Sequence, residues 1–259
     1  MRILSVSSQV AFGPVGNDAV VPALQAKGHE VIDIPTVVLS NHPGHGTPAG
    51  LRTAPEDLAR ILQTLEGLGV LDTCSAALTG YFASAEQIAT VATVLKRLKA
   101  RNSSLYLLVD PVIGDHGRLY VAQEVAEAIR DQLLPLASCV TPNAFELAWL
   151  SGRAVKDESD AEAAADLLGI SEVLATSVPS AGQLATLLFH DGNIERAVSP
   201  RLDQVPNGTG DFLSGLYLAS RVGQPAPAAF AAAMTTLDRA IGMSTGTTVL
   251  DVAGALHRP

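Results

Sequence analysis

The stretch PNGTGDFLSG, Pro206 to Gly215, decides how the rest of the chain is read. Three small residues, Gly208, Thr209 and Gly210, precede an acid, Asp211, and an apolar run, FLSGLYLAS, follows directly. Small residues ahead of a helix let backbone N–H groups approach a ligand closely. The first N–H groups of that helix lack internal partners, and the helix dipole turns its positive end to the same place. Such a turn suits an anion, above all a phosphate. Asp211 does not fit that role, because a carboxylate repels the anion the turn attracts. A general base that takes a proton from a hydroxyl, while the turn steadies developing phosphoryl charge, accounts for both features. The alternative is an Asp that caps a surface helix. The spacing is not GxGxxG and the chain has no GxxxxGK[ST], so neither common nucleotide-loop motif supplies the anion site.

Outward from this turn, short β-branched and apolar runs alternate with helical ones. Strands are expected at Ile3 to Val6, Val31 to Leu39, Cys74 to Leu78, Leu105 to Val109, Cys139-Val140 and Glu172 to Thr176. Helices are expected from Asp18 to Lys27, Glu56 to Leu68, Ser84 to Lys99, Val121 to Leu134, Asn143 to Leu150 and Asp160 to Leu168. Ala185 to His190 and Ile194 to Val198 read as a hairpin around Asp191-Gly192, and two helices, Asp211 to Val222 and Pro227 to Met243, close the chain. Alternating strands and helices argue for a parallel sheet covered on both faces, with ligands at the carboxyl ends of its strands. Polar clusters fall at those ends repeatedly: Ser7-Ser8, Asp110, Asn143 with Glu146, and Thr176-Ser177. No linker or repeat interrupts the pattern, so residues 1–259 read as one domain.

The composition agrees. A chain of 259 residues, 47% hydrophobic, is ample for one large core and short for two. A net charge of −9 argues against a broad nucleic-acid surface. The two cysteines, Cys74 and Cys139, form no CxxC and read as small buried residues of a reducing cytoplasm. MRILSVSSQV is too polar for a signal peptide, and no segment has the length of a membrane span.

Several clusters carry two readings. Asp110, in DPVIGD, could hold Mg²⁺ near nucleotide phosphates or satisfy a turn before Pro111. His116-Gly117-Arg118 could close over phosphates. Glu146, three residues past Asn143, could complete a capping box or face a metal-phosphate site. His42 and His45, in SNHPGHG, invite a metal reading, but the glycines fit a mobile loop over a small substrate better.

These stretches together resemble the pyridoxal kinases of the ribokinase-like superfamily. The resemblance rests on ILSVSSQVAFGPVGNDA (3–19), TVVLSNHPGHG (36–46), LTGYFASAEQI (78–88), DPVIGD, TPNAFELAWLSG and GTGD, in the family's order. It implies a three-layer α/β/α sandwich with a mostly parallel central sheet. It also implies ATP-dependent phosphorylation of the 5′-hydroxymethyl of pyridoxal, with Mg²⁺ as cofactor, in a cytoplasmic homodimer. On that resemblance Asp211 is the base, and Gly208, Thr209 and Gly210 form the anion hole. Ser8, Pro43, Gly44 and Tyr81 lie beside the pyridine ring. Asp110, Thr141, Asn143, Glu146, Thr176 and Ser177 surround ATP, with Asp110 and Glu146 toward the metal. Two positions depart from the family: Pro43 replaces a usual Thr, losing its hydroxyl, and Gln9 replaces a usual His. The competing readings are a hydroxymethylpyrimidine kinase on the same fold, and a non-catalytic pyridoxal-binding protein.

Overall fold

The run RILSVSSQV forms strand β1, Arg2–Val10, and its alternation explains the layering. Leu4 and Val6 enter one buried cluster and Ile3 enters another, because successive side chains leave a strand on opposite faces. The computed structural model describes residues 1–200 and 205–257. In chain order the further strands are β2 Glu30–Leu39, β3 Gly50–Arg52, β4 Cys74–Thr79, β5 Tyr106–Val109, β6 Gly114–Asp115 and β7 Arg118–Leu119. They continue with β8 Cys139–Val140, β9 Glu172–Ser180, β10 Gln183–His190 and β11 Asn193–Ser199. The helices are α1 Asn17–Ala26, α2 Pro55–Gly67, α3 Ala85–Arg101, α4 Gln123–Ala128, α5 Ala144–Ser151, α6 Glu158–Leu168, α7 Thr209–Arg221, α8 Ala226–Met243 and α9 Val252–His257.

Among the described residues nine strands make one sheet in the order β11-β10-β9-β8-β5-β4-β1-β2-β3. The six strands from β9 to β2 pair in parallel, and β3, β10 and β11 join antiparallel. Leu58 of α2, Ile88 of α3 and Leu147 of α5 cover one face. Val20 of α1, Phe212 of α7 and Phe230 of α8 cover the other. The expected α/β/α sandwich with a mostly parallel sheet is therefore what forms. Helix α7 is buried from Phe212 to Ser220, as its apolar run on all sides requires.

Four expectations need correction. Ser7, Ser8 and Gln9 lie inside β1 rather than after it. The single helix expected from Val121 to Leu134 is a short α-helix, then a wide turn at Ile129–Leu133 and a tight one at Leu134–Leu136. Pro135 is the reason, since it has no N–H to donate and its ring crowds the carbonyl one turn back. Strand β9 runs on past Thr176 to Ser180, despite Pro179. A third closing helix, α9, follows α8; six residues with an internal Gly254 give little periodicity to read.

Candidate active site

The sheet's backbone pairing continues beyond the parallel strands and brings their loops to one edge. The Gly80 N–H donates to Val6 O at 2.9 Å, Asp110 N–H to Thr79 O at 2.8 Å, and Thr141 N–H to Val109 O at 3.1 Å. Thr176 N–H donates to Pro142 O at 2.9 Å. Four sequence-predicted clusters thus share the carboxyl edge. A separate hollow of about 390 Å³ lies at the opposite edge, beside Thr73, Asn102 and Tyr106, and holds none of them.

The turn before α7 is built as its glycines suggest. Gly208 sits in the left-handed region at φ 86°, and a β-carbon there would come 2.0 Å from Pro14 O. The first intrahelical bond runs from Phe212 N–H to Gly208 O at 2.9 Å. Helix geometry therefore leaves the N–H groups of Thr209 and Gly210 without partners inside the helix. The Thr209 hydroxyl donates to Pro206 O at 2.6 Å, so the backbone is what this residue offers. The N-cap is Gly208 and makes no side-chain bond, so Asp211 does not cap the helix.

Asp211 meets the first loop instead. Gly16, at φ 56°, lies so close to Ser8 that a β-carbon would sit 2.2 Å from Ser8 Oγ and 2.4 Å from Ser8 O. Asn17 and Asp18 hold this loop on the sheet: Ser5 Oγ donates to Asn17 Oδ1 at 2.8 Å, and Val10 N–H to Asp18 Oδ2 at 2.6 Å. Burial pushes the Asp211 carboxyl up, to about 6, while the N–H groups of Gly16 and of Asp211 itself pull it down. Ser8, Gly16 and Asp211 thus converge. A shift in the pairing of β1 with β2 falls at Ser8, a place where bulges re-aim side chains.

Behind Asp211 lies a buried polar chain. Ser214, one turn further along α7, donates to Asp110 Oδ2 at 2.9 Å and lies 2.9 Å from Thr141 Oγ1. Burial pushes Asp110 up to about 8, the Asp211 charge adds to this, and the Ser214 and Thr141 hydroxyls oppose it. Glu146 is 3% exposed. Its carboxylate accepts from Ile113 N–H at 2.9 Å, Gly114 N–H at 3.3 Å and Asn143 N–H at 2.9 Å, and Asn143 Oδ1 accepts from Glu146 N–H at 2.9 Å. The capping box is complete. Burial, then Asp110, holds Glu146 well above the usual carboxylate range, against those N–H groups.

Strands β6 and β7 form a two-stranded flap, turned at His116 and Gly117, both at positive φ. Asn143 Nδ2 donates to Gly114 O at 2.9 Å and ties the flap to α5. Tyr120, at the flap's end, is absent from the sequence reading. The residue is 54% exposed. Partial burial, then the charges of Glu146, Asp110, Asp211 and Asp115, pushes its hydroxyl pKa up. An aromatic shortly after a strand-end acid was the available signal. Ser214 was missed too, since a Ser inside an apolar helix reads as filler.

Tyr81 N–H donates to Ser7 Oγ at 3.1 Å, and Thr36 Oγ1 donates to Tyr81 O at 2.7 Å, so Tyr81 lies beside β1. Pro43 opens a tight turn, Pro43–His45, in which Gly44 N–H donates to His42 Nδ1 at 3.1 Å. A β-carbon on Gly44 would come 3.0 Å from Asn207 Nδ2, which places this loop against the residue ahead of Gly208. Ser177 is exposed, at φ 55°, where β9 and β10 shift register. Thr176 is bridged to Asn143. Among the described residues no group of three or more His, Cys, Asp or Glu is arranged to hold a metal alone.

The phosphomethylpyrimidine kinase family model matches residues 59–255. A pyridoxal kinase of Granulibacter bethesdensis is 36% identical over 234 residues, covering 86% of this chain and 82% of that protein. The pyridoxal kinase structure from Entamoeba histolytica superposes with a TM-score of 0.93 at 28% identity, over 98% of this chain and 94% of that one. The Leishmania donovani pyridoxal kinase, in complex with ADP and pyridoxine, gives 0.91 at 31% identity, over 99% and 94%. These neighbours share the ribokinase-like fold. The chain belongs to the phosphomethylpyrimidine kinase family and, within it, to the pyridoxal kinases.

Proposed function

We propose that this chain transfers the γ-phosphoryl group of ATP to the 5′-hydroxymethyl of pyridoxal, giving pyridoxal 5′-phosphate and ADP. The observation that carries the reading is Asp211, held beside Ser8 through Gly16 and set at the open N-terminus of α7. The hydroxyl oxygen attacks the γ-phosphorus, its proton passes to the Asp211 carboxylate, and the β–γ bridge oxygen leaves with ADP. With a pKa near 6, Asp211 is largely ionised at neutral pH and can accept that proton. The N–H groups of the Gly208–Gly210 turn steady charge on the transferred group. Ser8, Tyr81 and the Pro43-Gly44 turn flank the ring. Thr141, Asn143, Thr176 and Ser177 lie on the nucleotide side.

The residues also fit Mg²⁺. Asp110, Asp211 and Glu146 crowd one another, and none is held by a cationic side chain among the described residues. Asp110 and Glu146 would hold the ion together with phosphate oxygens and water, a common Mg²⁺ arrangement. When bound, Mg²⁺ neutralises phosphate charge. A homodimer and a cytoplasmic location complete the reading, supported by the family resemblance; no helix among the described residues is long and apolar enough to cross a membrane.

A second reading is a hydroxymethylpyrimidine kinase on the same fold; ring-side residues separate the two, and Pro43, which brings no hydroxyl there, weakens that separation. The test is ATP-dependent phosphorylation of pyridoxal, pyridoxine, pyridoxamine and hydroxymethylpyrimidine with Mg²⁺ present. Pyridoxal turnover, lost by about 10²- to 10⁴-fold in Asp211→Ala, is the expected result. Turnover of hydroxymethylpyrimidine alone would move the chain to the second reading.

A further inference from the structure

Ser214 lies inside the stretch Pro206 to Gly215 but carries no role in the reading of that stretch, yet it joins the two sides of the site. Its side chain is 1% exposed, and it bridges Asp110 and Thr141 at 2.9 Å each. A hydroxyl has one proton to give. Ser214 Oγ donates to Asp110 Oδ2, so with its one proton used it is left to accept from the Thr141 hydroxyl. Asp110 follows β5, Thr141 follows β8, and Ser214 belongs to α7, so three separate elements meet in this one chain of bonds. Ser214 is also three residues beyond Asp211, hence on the same side of the helix.

We propose that Ser214 is a positioning residue: it fixes the rotamer of the Asp110 carboxylate and locks the nucleotide-side loops to the helix that carries Asp211. The carboxylate has two oxygens. Anchoring Oδ2 leaves Oδ1 as the oxygen free of that bond, so the bond selects which oxygen is available to metal and phosphate. Asp110 otherwise sits among like charges, Asp211 and Glu146, which favour its swinging away. The buried hydroxyls of Ser214 and Thr141 oppose this, and the Ser214 bond ties the carboxylate to the helix that carries Asp211. Removing it acts on the metal-nucleotide side and leaves the ring side, at Ser8 and Tyr81, untouched. The proposal rests on the kinase reading above.

The test compares the full-length parent with Ser214→Ala and Ser214→Thr. Binding of Mn²⁺ in the presence of ADP is followed by electron paramagnetic resonance, alongside kcat, KM for pyridoxal, half-saturating Mg²⁺ and thermal melting. For Ser214→Ala, Mn²⁺ affinity and kcat should each fall about tenfold, while KM for pyridoxal stays within about twofold. Ser214→Thr, which keeps the hydroxyl, should recover most of both. Parent-like Mn²⁺ affinity and kcat in Ser214→Ala would overturn the proposal. So would a loss that follows a collapsed melting temperature and is not recovered by Thr, since that marks a packing role alone. If the parent itself fails to phosphorylate pyridoxal, the functional reading falls, and the Mn²⁺ measurement still decides the role of Ser214.

Discussion

As the proposed base, Asp211 must be ionised to take a proton, and its raised pKa sets the pH at which that happens. Burial, opposed by the Gly16 and Asp211 N–H groups, sets it at about 6. The kcat/KM for pyridoxal should therefore fall tenfold per pH unit below about 6, with a plateau above, and Asp211→Asn should abolish that limb together with turnover. A profile flat down to pH 5 would remove Asp211 as the base. Gly208 gives a sharper steric case. A β-carbon there meets Pro14 O at 2.0 Å, and φ 86° strains any other residue. Gly208→Ala should cost turnover at least about 10²-fold through displacement of the anion hole, measured at saturating substrates beside a thermal melt. The geometry of this turn was legible in its glycines, because a left-handed, closely approached position answers to that residue type alone. The bonds of Ser214 to Asp110 and Thr141 were not, because they exist only once loops distant in sequence are brought together.

At the scale of elements, α7 carries the site at one end and an ion-pair anchor at the other. Glu172, at the start of β9, receives the Arg221 guanidinium at 2.6 and 2.9 Å and the Tyr106 and Tyr217 hydroxyls at 2.5 Å each. Burial raises the Glu172 pKa, but Arg221 and both hydroxyls outweigh it and leave the group below its usual value. This anchor contributes stability above the unfolded carboxylate pKa and loses it as pH falls through the lowered one. Glu172→Gln leaves Arg221 without its partner, so unfolding free energy at pH 7 should drop by roughly 2–4 kcal/mol, read by urea denaturation. An unchanged midpoint would show that the anchor carries no net stability. The other face of α7 meets α1 through Gly215, where a β-carbon would lie 3.0 Å from Val20 Cα and 3.1 Å from Ala23 Cβ. One of those neighbours is backbone and the other is fully buried, so Gly215→Leu should destabilise by roughly 1–3 kcal/mol or prevent folding, checked by the melting temperature.

Across the whole molecule, the alternation of strands and helices was enough to read a doubly covered, mostly parallel sheet in the amino-acid sequence. What escaped were features set by pairing rather than by pattern: the flap of β6 and β7, the continuation of β9, and the short edge strand β3, each made by bonds to a neighbour. The same distinction governs the response to pH. A carboxyl's charge is written in the sequence, but its pKa depends on what surrounds it. Asp110 is raised to about 8 and Asp211 to about 6, both above the unfolded value near 4. The native state therefore binds more protons than the unfolded chain between those limits, and the stability these acids contribute declines as pH rises from about 4 to about 8. Asp110→Asn removes the larger part of that decline. Without ligands at pH 8, this variant should exceed the parent by more than about 1 kcal/mol, or about 2–4 °C in melting temperature, and the gap should close toward pH 4. Mg²⁺ with ADP should raise the parent's melting temperature at pH 8 more than the variant's, because the ion offsets the repulsion that Asn has already removed. Equal melting temperatures for the two proteins from pH 4 to pH 8 would mean that the acids do not carry mutual strain, and that the charge at this edge of the sheet is balanced by something other than an incoming cation.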